Sequence, residues 1–366
     1  MPANRSLGMD HPHYEYSSLP QRTELSWPTG DPLALGALVL LEHYEWEPPS
    51  DAYSLRNPSG GLFKLPAPDY LQLTHREYGH RVGIFRLLDT LERHEVPATV
   101  AVDKLTAMHY PWLVEHLQSR SCELIGHGIA ASRLITSKMT EEAEAELIEE
   151  SLSYLERVSG QRPQGWFSPE GVESSRTPAL LAAAGVRYVC DWPNDEQPYQ
   201  MTTPAGGLFS LPLFLEVDDE FALWRRRANL SSWEKMVASA AHRMHTDGRS
   251  SARHLMLTLR PWLTGQPFRI GASTEHCRLL QNFKACGLRE VARLSTRSWH
   301  LLTRISDAKP LVSVGLIQGD LSTYSQHIQS GKVLVVGVPV RPVRRNLQKH
   351  PACEYLQLRN RRRQEW

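Results

Sequence analysis

The sequence predicts an α/β fold built as an irregular (β/α) barrel, with an open doubly wound sheet as the alternative. Short apolar runs typical of buried strands alternate with helical segments, which indicates βαβ units and a parallel sheet. About seven such units follow one another, and no internal repeat is visible. With 366 residues, of which 41% are apolar, the chain can form one sizeable domain with extensions.

The strands are predicted from apolar runs that end at polar or turn residues. The first begins at Leu35 and becomes polar at Glu42 and His43. The other strands are assigned to residues 96–102, 122–126, 164–169, 186–192, 208–219 and 254–262. Helices are predicted where apolar residues recur every three to four positions. They are assigned to residues 80–96, 110–120, 140–160, 177–186, 233–245 and 274–287.

The composition divides the chain into three regions. Residues 1–33 are polar and rich in proline, which predicts an extended N-terminal arm. Residues 34–296 hold the alternating pattern of the barrel, interrupted by an irregular segment at 47–79 that is rich in Pro, Gly and Asp. Residues 297–366 lose that pattern and become basic, so we expect a divergent tail that is disordered or only partly ordered.

Charge and cysteine content exclude several classes of protein. The net charge is about +1, so no global field favours nucleic acid or a membrane surface. The arginines near the C-terminus form a short run without interleaved aromatic residues, which is more typical of a solvated tail. Five scattered cysteines without CxxC spacing predict neither a disulfide framework nor a thiolate zinc site. Without a visible signal peptide or membrane span, we expect a cytoplasmic protein.

Polar side chains follow nearly every predicted strand. Because the carboxyl ends of parallel strands meet at one face of an α/β fold, these residues are expected to converge there. In chain order they are Glu42, His43, Glu45, Asp103, His127, Ser168, Glu170, Asp191, Asn194, Asp195, Glu216, Asp218, Asp219 and Arg260. Each alone has an ordinary explanation as a turn, cap or surface residue. Their joint placement at strand ends predicts a reaction cup.

His127 stands between Gly126 and Gly128 directly after a short apolar strand. A lone histidine in such a place is commonly a hydrogen-bonded core residue. The two glycines would let the backbone approach a ligand or adopt unusual angles. We therefore expect the imidazole of His127 to point into the cup.

Five motifs stand in order along the chain: "REYGHRVG", "ELIGHG", "GWFSPEG", "CDWPNDEQPY" and "LRPWLTG". With these motifs, residues 12–295 resemble the polysaccharide deacetylase (NodB-homology) superfamily, and most of all its PuuE-type allantoinase and cyclic imide hydrolase branch. The resemblance implies a distorted (β/α) barrel of the NodB-homology type that cleaves amide C–N bonds at its strand ends. Metal-dependent members are expected to use an Asp and two histidines spaced i, i+4, with a further Asp as base and a late histidine as acid.

The sequence departs from that pattern at several positions. Glu42 stands at the acidic position and His127 matches the first ligand histidine, but Ala131 stands where the second would be. Ser168 replaces an expected arginine, and Arg260 replaces the late histidine. Glu42, His43 and His127 remain as an incomplete set for a weakly bound divalent, zinc-type metal, unless no cofactor is required.

The predicted function is hydrolysis of a non-peptide C–N bond in a small intracellular amide, cyclic amide or imide, or N-acyl compound. Glu42 and His127 would activate water, and Asp191 would assist by orienting an amide N–H. The predicted substrate-binding residues are Arg81, Glu170, Asn194, Asp195 and Arg260. The alternative is a catalytically degenerate relative that only binds a ligand or partner. We expect no nucleic-acid or membrane partner, and a homo-oligomer is compatible with the resemblance.

Overall fold

The computed structural model describes residues 10–50 and 69–272, together with Thr274, Lys284, Ala285, Leu288 and Val291. The predicted tail, 297–366, and most of the predicted helix 274–287 lie outside the described residues. Inside that predicted helix, Lys284 and Ala285 form a short strand, so the helix prediction is wrong at its C-terminal end.

The described residues form one curled, mostly parallel sheet. Its strands are β1 (Leu33–Leu41), β2 (Ala98–Val102), β3 (Glu123–Gly126), β4 (Gly165–Trp166), β5 (Tyr188–Val189), β6 (Tyr199–Gln200), β7 (Phe209–Ser210), β8 (Arg253–Leu259) and β9 (Lys284–Ala285). Their order is β6-β7-β5-β4-β3-β2-β1-β8, with β9 also paired to β1, and β6 with β7 is the antiparallel pair. Among these residues the sheet stays open between β6 and β8, as an irregular half-barrel, which confirms the predicted fold class.

The helices cover the outside of the sheet. They are α1 (Tyr70–Tyr78), α2 (Ile84–Arg93), α3 (Lys104–His109), α4 (Pro111–Ser119), α5 (Glu141–Ser159), α6 (Thr177–Ala183), α7 (Leu230–Asp247) and α8 (Pro261–Thr264). The predicted signals around α5 are confirmed, since the Thr140 hydroxyl accepts from the Ala143 N–H and Gly160 is left-handed at φ 73°. A π-helical turn, Gly79–Gly83, joins α1 to α2.

Two sequence predictions fail in the irregular parts of the chain. The segment 47–79 is predicted to be irregular, yet its last part forms α1. The sequence does not reveal this helix, because its buried face carries Gln72 and Arg76 and shows no apolar stripe. The long strand predicted at 208–219 shrinks to β7. Pro212 follows β7 and lacks the N–H that a strand would donate, and the chain continues as a 3₁₀ turn, Leu215–Val217.

Strand β1 is buried along its whole length, with successive side chains on opposite faces. Leu35, Val39 and Leu41 pack in the core beneath the helices. Leu38 and Leu40 pack in a second core, inside the curl. A continuation of this alternation past Leu41 points the next even-numbered side chains into the curl and the odd-numbered ones outward.

The described part of the N-terminal arm lies on the rest of the fold. Trp27 is buried and its indole N–H donates to the Arg253 carbonyl over 2.9 Å. Arg22 pairs with Asp195 over 2.6 Å. The arm therefore connects the start of β8 with the loop after β5.

Among the described residues, no helix is both long and apolar enough to cross a bilayer. The compartment and the oligomeric state inferred from the sequence stay predictions.

Candidate functional site

The acid that ends β1 and the imidazole that ends β3 face each other inside the curl. Glu42 Oε1 lies 3.7 Å from His127 Nε2. The Glu42 side chain is 1% exposed and that of His127 is 0% exposed. Glu42 Oε2 and His127 Nε2 have no hydrogen-bond partner within the described residues. Since buried polar atoms are nearly always hydrogen-bonded, a water or a substrate atom beside the pair is the expected partner of both groups.

The backbone around His127 fixes the ring. Nδ1 lies 2.6 Å from the Phe167 carbonyl oxygen, so Nδ1 carries a proton and Nε2 faces Glu42. The two neighbouring glycines have a packing role rather than the predicted ligand-approach role. A Cβ at Gly126 would lie 2.6 Å from the Trp166 ring, and one at Gly128, where φ is +71°, would lie 2.7 Å from Pro169.

Burial and neighbouring charges act in opposite directions on this pair. Burial raises the pKa of Glu42, but His127, Arg260 and Arg76 outweigh it, so the Glu42 pKa is lowered. Burial lowers the pKa of His127, but Glu42 and Asp103 outweigh it, so the His127 pKa is raised. Each group therefore favours the ionised form of the other, a carboxylate beside an imidazolium.

Arg260, at the end of β8, is buried among carboxylates. Its guanidinium lies 2.9 Å from Asp218 Oδ2, 3.0 Å from Asp219 Oδ1 and 2.9 Å from Glu220 Oε2. Its Nε is also 3.7 Å from Glu42 Oε2. The predicted role of Arg260 in holding an anionic substrate is thus not supported, because its charge is already compensated by protein acids. Its position suits a counter-charge that holds Glu42 ionised.

Glu170 reaches the same cluster from the loop after β4. Its Oε1 accepts from the Tyr44 hydroxyl over 3.0 Å, and its Oε2 pairs with Arg225 over 2.9 Å. Burial and the charges of Glu220 and Glu42 raise its pKa. The structure therefore brings together Glu42, His127, Arg260 and Glu170, as the strand-end rule predicted.

Asp191, after β5, belongs to a second, adjoining carboxyl pair. Its Oδ1 accepts from the Ser168 N–H over 2.8 Å, whereas its Oδ2 and the Oε1 of Glu173 are both buried without a hydrogen-bond partner among the described residues. Burial and the charge of Asp191 raise the pKa of Glu173 to about 10, so a protonated Glu173 can share its proton with Asp191. Asp191 lies close enough to His127 for their charges to interact, so this carboxyl pair adjoins the site. Sequence reasoning missed Glu173, because it lies further along the loop after β4 than the strand-end residues Ser168 and Glu170.

Replacing Glu173 with glutamine is expected to raise stability above pH 7. The pKa of Glu173 is far above its ordinary 4.5, so the folded state binds the extra proton and wild-type stability falls as pH rises from about 4.5 towards 10. Glutamine can donate to Asp191 and accept from Trp192 without that proton. We expect a gain of about 1–3 kcal/mol in urea unfolding at pH 8, and less at pH 5.

The exposed Glu156→Gln change is the control for this experiment, with an effect below about 0.5 kcal/mol at both pH values. A loss of stability for Glu173→Gln at pH 8 would contradict the shared proton.

The predicted metal set does not assemble. His43 follows Glu42 and points to the opposite side, where its ring lies 4.9 Å from that of His109. Burial and His109 lower the His43 pKa to about 4. Asp103 is nearby, but its two oxygens accept from the backbone N–H groups of His43 and Thr106. Within the described residues no group of three ligating side chains exists, and a tightly held zinc ion needs three. These residues do not fit a resident metal.

Three predicted substrate-binding residues lie elsewhere. Arg81 is exposed, because the π-helical turn directs it to solvent. Asn194 is exposed and accepts from the Tyr199 hydroxyl. Asp195 is occupied by Arg22 and by two backbone N–H groups. Besides Arg260, Arg76 on α1 reaches the site, where its charge acts on Glu42 and its side chain is only 6% exposed.

Comparison with known proteins agrees with this architecture. Residues 77–189 match the polysaccharide deacetylase family. A Schizosaccharomyces pombe protein that carries the name polysaccharide deacetylase is 26% identical over 213 residues, which are 53% of this chain and 65% of that protein. The chain thus spans less than two thirds of this relative.

Two crystal structures share the fold. One is a Pseudomonas aeruginosa PAO1 protein named as a polysaccharide deacetylase, with a TM-score of 0.68 and 21% identity over 76% of this chain and 95% of that one. The other is the PuuE allantoinase, with a TM-score of 0.68 and 20% identity over 76% of this chain and 94% of that one.

Proposed function

Because residues 77–189 match the polysaccharide deacetylase family, we propose that this chain hydrolyses a non-peptide C–N bond in a small molecule. The substrate class is an amide, a cyclic amide or imide, or an N-acyl compound. The observation that carries the proposal is the buried pair of Glu42 and His127, 3.7 Å apart, with an unpartnered atom on each residue within the described part of the chain. A water molecule beside the pair can hydrogen-bond both.

The pair provides a base and an acid for amide hydrolysis. The Glu42 carboxylate takes a proton from the water, whose oxygen attacks the amide carbon and forms a tetrahedral intermediate. The protonated His127 then gives its Nε2 proton to the leaving nitrogen as the C–N bond breaks. Glu42 returns its proton to His127 through the next water. The hydrogen bond from Nδ1 to Phe167 keeps the ring aligned throughout.

The other residues support this pair. Arg260 holds Glu42 ionised, and Asp191 favours the charged form of His127. Glu170 and Tyr44 line the same cluster and are proposed to contact the substrate. An intracellular small molecule remains the preferred substrate over an extracellular polymer.

A catalytically degenerate binding protein is the second candidate, favoured by one observation. Ala131 stands where the resemblance places a second ligand histidine, and it is fully buried against Tyr44 and Leu73. The space for that ligand is therefore filled by packed side chains.

A substrate screen separates the two candidates. Purified protein is incubated with cyclic imides, ureides and N-acetyl sugars, and ring-opened product, ammonia and acetate are measured. We expect product from at least one class, with the same rate after treatment with a chelator. Binding without any product would favour the degenerate relative.

The pH dependence of kcat/KM should report the charged pair. Activity requires ionised Glu42 and protonated His127, so we expect an alkaline limb with an apparent pKa above 6.5 and an acid limb below 4.5. His127→Gln should lower kcat by about 10²–10⁴-fold and remove the alkaline limb from the residual rate. An unchanged alkaline limb in this variant would assign that titration to another group.

A further inference from the structure

Arg76 is a buried cation without a counter-ion in the part of the chain that the structure describes. Its side chain forms no hydrogen bond or ion pair there, and Nη1 is buried and unpartnered. Arg260, by contrast, has three carboxylates within 3.0 Å. A buried charge without a partner is costly, so its retention calls for a function.

The packing of α1 on α8 places Arg76 beside the site. Gly83 lies so close to the Pro261 carbonyl that a Cβ would overlap it, and a Cβ at Gly79 would lie 2.9 Å from the Trp262 nitrogen. These two glycines let the π-helical turn contact α8 backbone to backbone. Arg76, one turn earlier, therefore lies over the side chain of Trp262, two residues after Arg260.

Aromatic rings hold the guanidinium in one orientation. Its carbon lies 3.5 Å from the centroid of the Trp262 ring and 5.4 Å from that of Tyr44. Trp224 in turn packs edge-on against Trp262. A guanidinium stacked on an indole keeps its edge free for two parallel hydrogen bonds, which match a carboxylate.

The surrounding charges select the kind of anion. The charges of Glu42, Glu170 and Glu220 act on Tyr44, whose ring lies beside Arg76, and they would repel a dianion such as a phosphate monoester more strongly than a singly charged carboxylate. Since Arg76 forms no ion pair among the described residues, its guanidinium can pair with one carboxylate group. The Arg76 charge also acts on Glu42, so an anion bound to Arg76 would have its reacting amide near the Glu42–His127 pair.

Resting on the function proposed above, we propose that Arg76, stacked on Trp262, binds a carboxylate of the substrate, which is therefore an amide that carries a carboxylate group. Arg76 is then a specificity-determining residue that positions the amide against Glu42 and His127. It replaces Arg81 and Arg260 as the anion-binding residue.

The test compares probes that differ only in the carboxylate. Hydantoin-5-acetic acid is paired with hydantoin-5-acetamide, and N-acetylglycine with N-acetylglycinamide. Binding is measured by calorimetry in wild-type protein and in Arg76→Gln, Arg76→Lys and Arg81→Gln, where the exposed Arg81 is the matched control. We expect wild type and Arg81→Gln to prefer at least one acid over its amide by about tenfold or more. Arg76→Gln should lose that preference, and Arg76→Lys should keep part of it.

Equal binding of acid and amide in wild type would overturn the proposal, and this measurement stands even if Arg76→Gln does not fold. A preference that persists in Arg76→Gln would overturn it as well. The proposal would also be overturned if Arg76→Gln lowered kcat for the neutral amides and left the preference for acid over amide unchanged. That result would mean that Arg76 stabilises the oxyanion of the tetrahedral intermediate. Preferred binding of the acids without hydrolysis would refute the proposed hydrolase activity and support the carboxylate site at Arg76. Hydrolysis without preferred binding of the acids would support the hydrolase activity and refute the carboxylate site.

Discussion

Replacing Glu42 with glutamine is expected to lower kcat by about 10³-fold while the protein still unfolds cooperatively. Glutamine has the same shape but cannot take a proton from water. It also removes the negative charge that raises the pKa of His127, so the general acid is lost together with the base. The measurements are the initial rate on the best substrate of the screen and urea unfolding of both proteins.

The matched control is Glu45→Gln, three residues further along. The Glu45 carboxylate binds Arg133 over 2.6 Å and Ser132 over 2.7 Å, away from His127. We expect its activity to stay within about twofold of wild type, since no group in the proposed reaction contacts it. Equal losses in both variants would indicate a general structural effect and not a base.

The stability of Glu42→Gln should depend on pH in a defined direction. The raised pKa of His127 gives a contribution that is fully present below 6.5 and is lost as pH rises through the folded value. Without Glu42, a charged His127 would be buried without its partner. The variant should therefore be most destabilised below pH 6.5, and the difference from wild type should shrink at higher pH.

The sequence allowed the candidate site residues to be predicted where they directly follow a strand. Glu42, His127 and Arg260 each follow a long or well-bounded apolar strand, and parallel strands bring such residues to one edge. His43 was assigned wrongly, because the alternation along β1 continues past Leu41. Leu38, Leu40 and Glu42 share the inner face, so His43 must point outward, towards α3.

Arg76 could not be predicted from hydropathy. Helix α1 buries Gln72, Leu73 and Arg76, so its inner face is mostly polar and shows no apolar stripe. The π-helical turn adds one residue to the helical repeat and directs Arg81 to solvent. The tertiary contact between the turn and α8, permitted by Gly83, selects this arrangement, and a contact across nearly 180 residues leaves no local signal in the sequence.

Arg260→Met is expected to cause the largest loss of stability, about 3–5 kcal/mol at pH 8. Methionine fills much of the same volume, but it leaves Asp218 and Asp219 buried without a cation and Glu220 with Arg225 alone. Burial already raises the pKa of Asp219 to about 7, even though Arg260 opposes it. The pKa values of these acids should rise further in the variant, so the folded state takes up protons as pH falls. The loss should therefore be smaller at pH 5.

Arg225→Met is the control for this experiment. Arg225 pairs with Glu170 and Glu220, two acids of the same cluster, but its side chain is 47% exposed. Water screens that pair, so we expect a loss below about 1 kcal/mol with little pH dependence. An equal loss for Arg260→Met at pH 5 and pH 8 would show that packing, and not charge, keeps Arg260 in place. The opposite pH trends expected for Glu42→Gln and Arg260→Met distinguish an uncompensated cation from uncompensated carboxylates in one buried cluster.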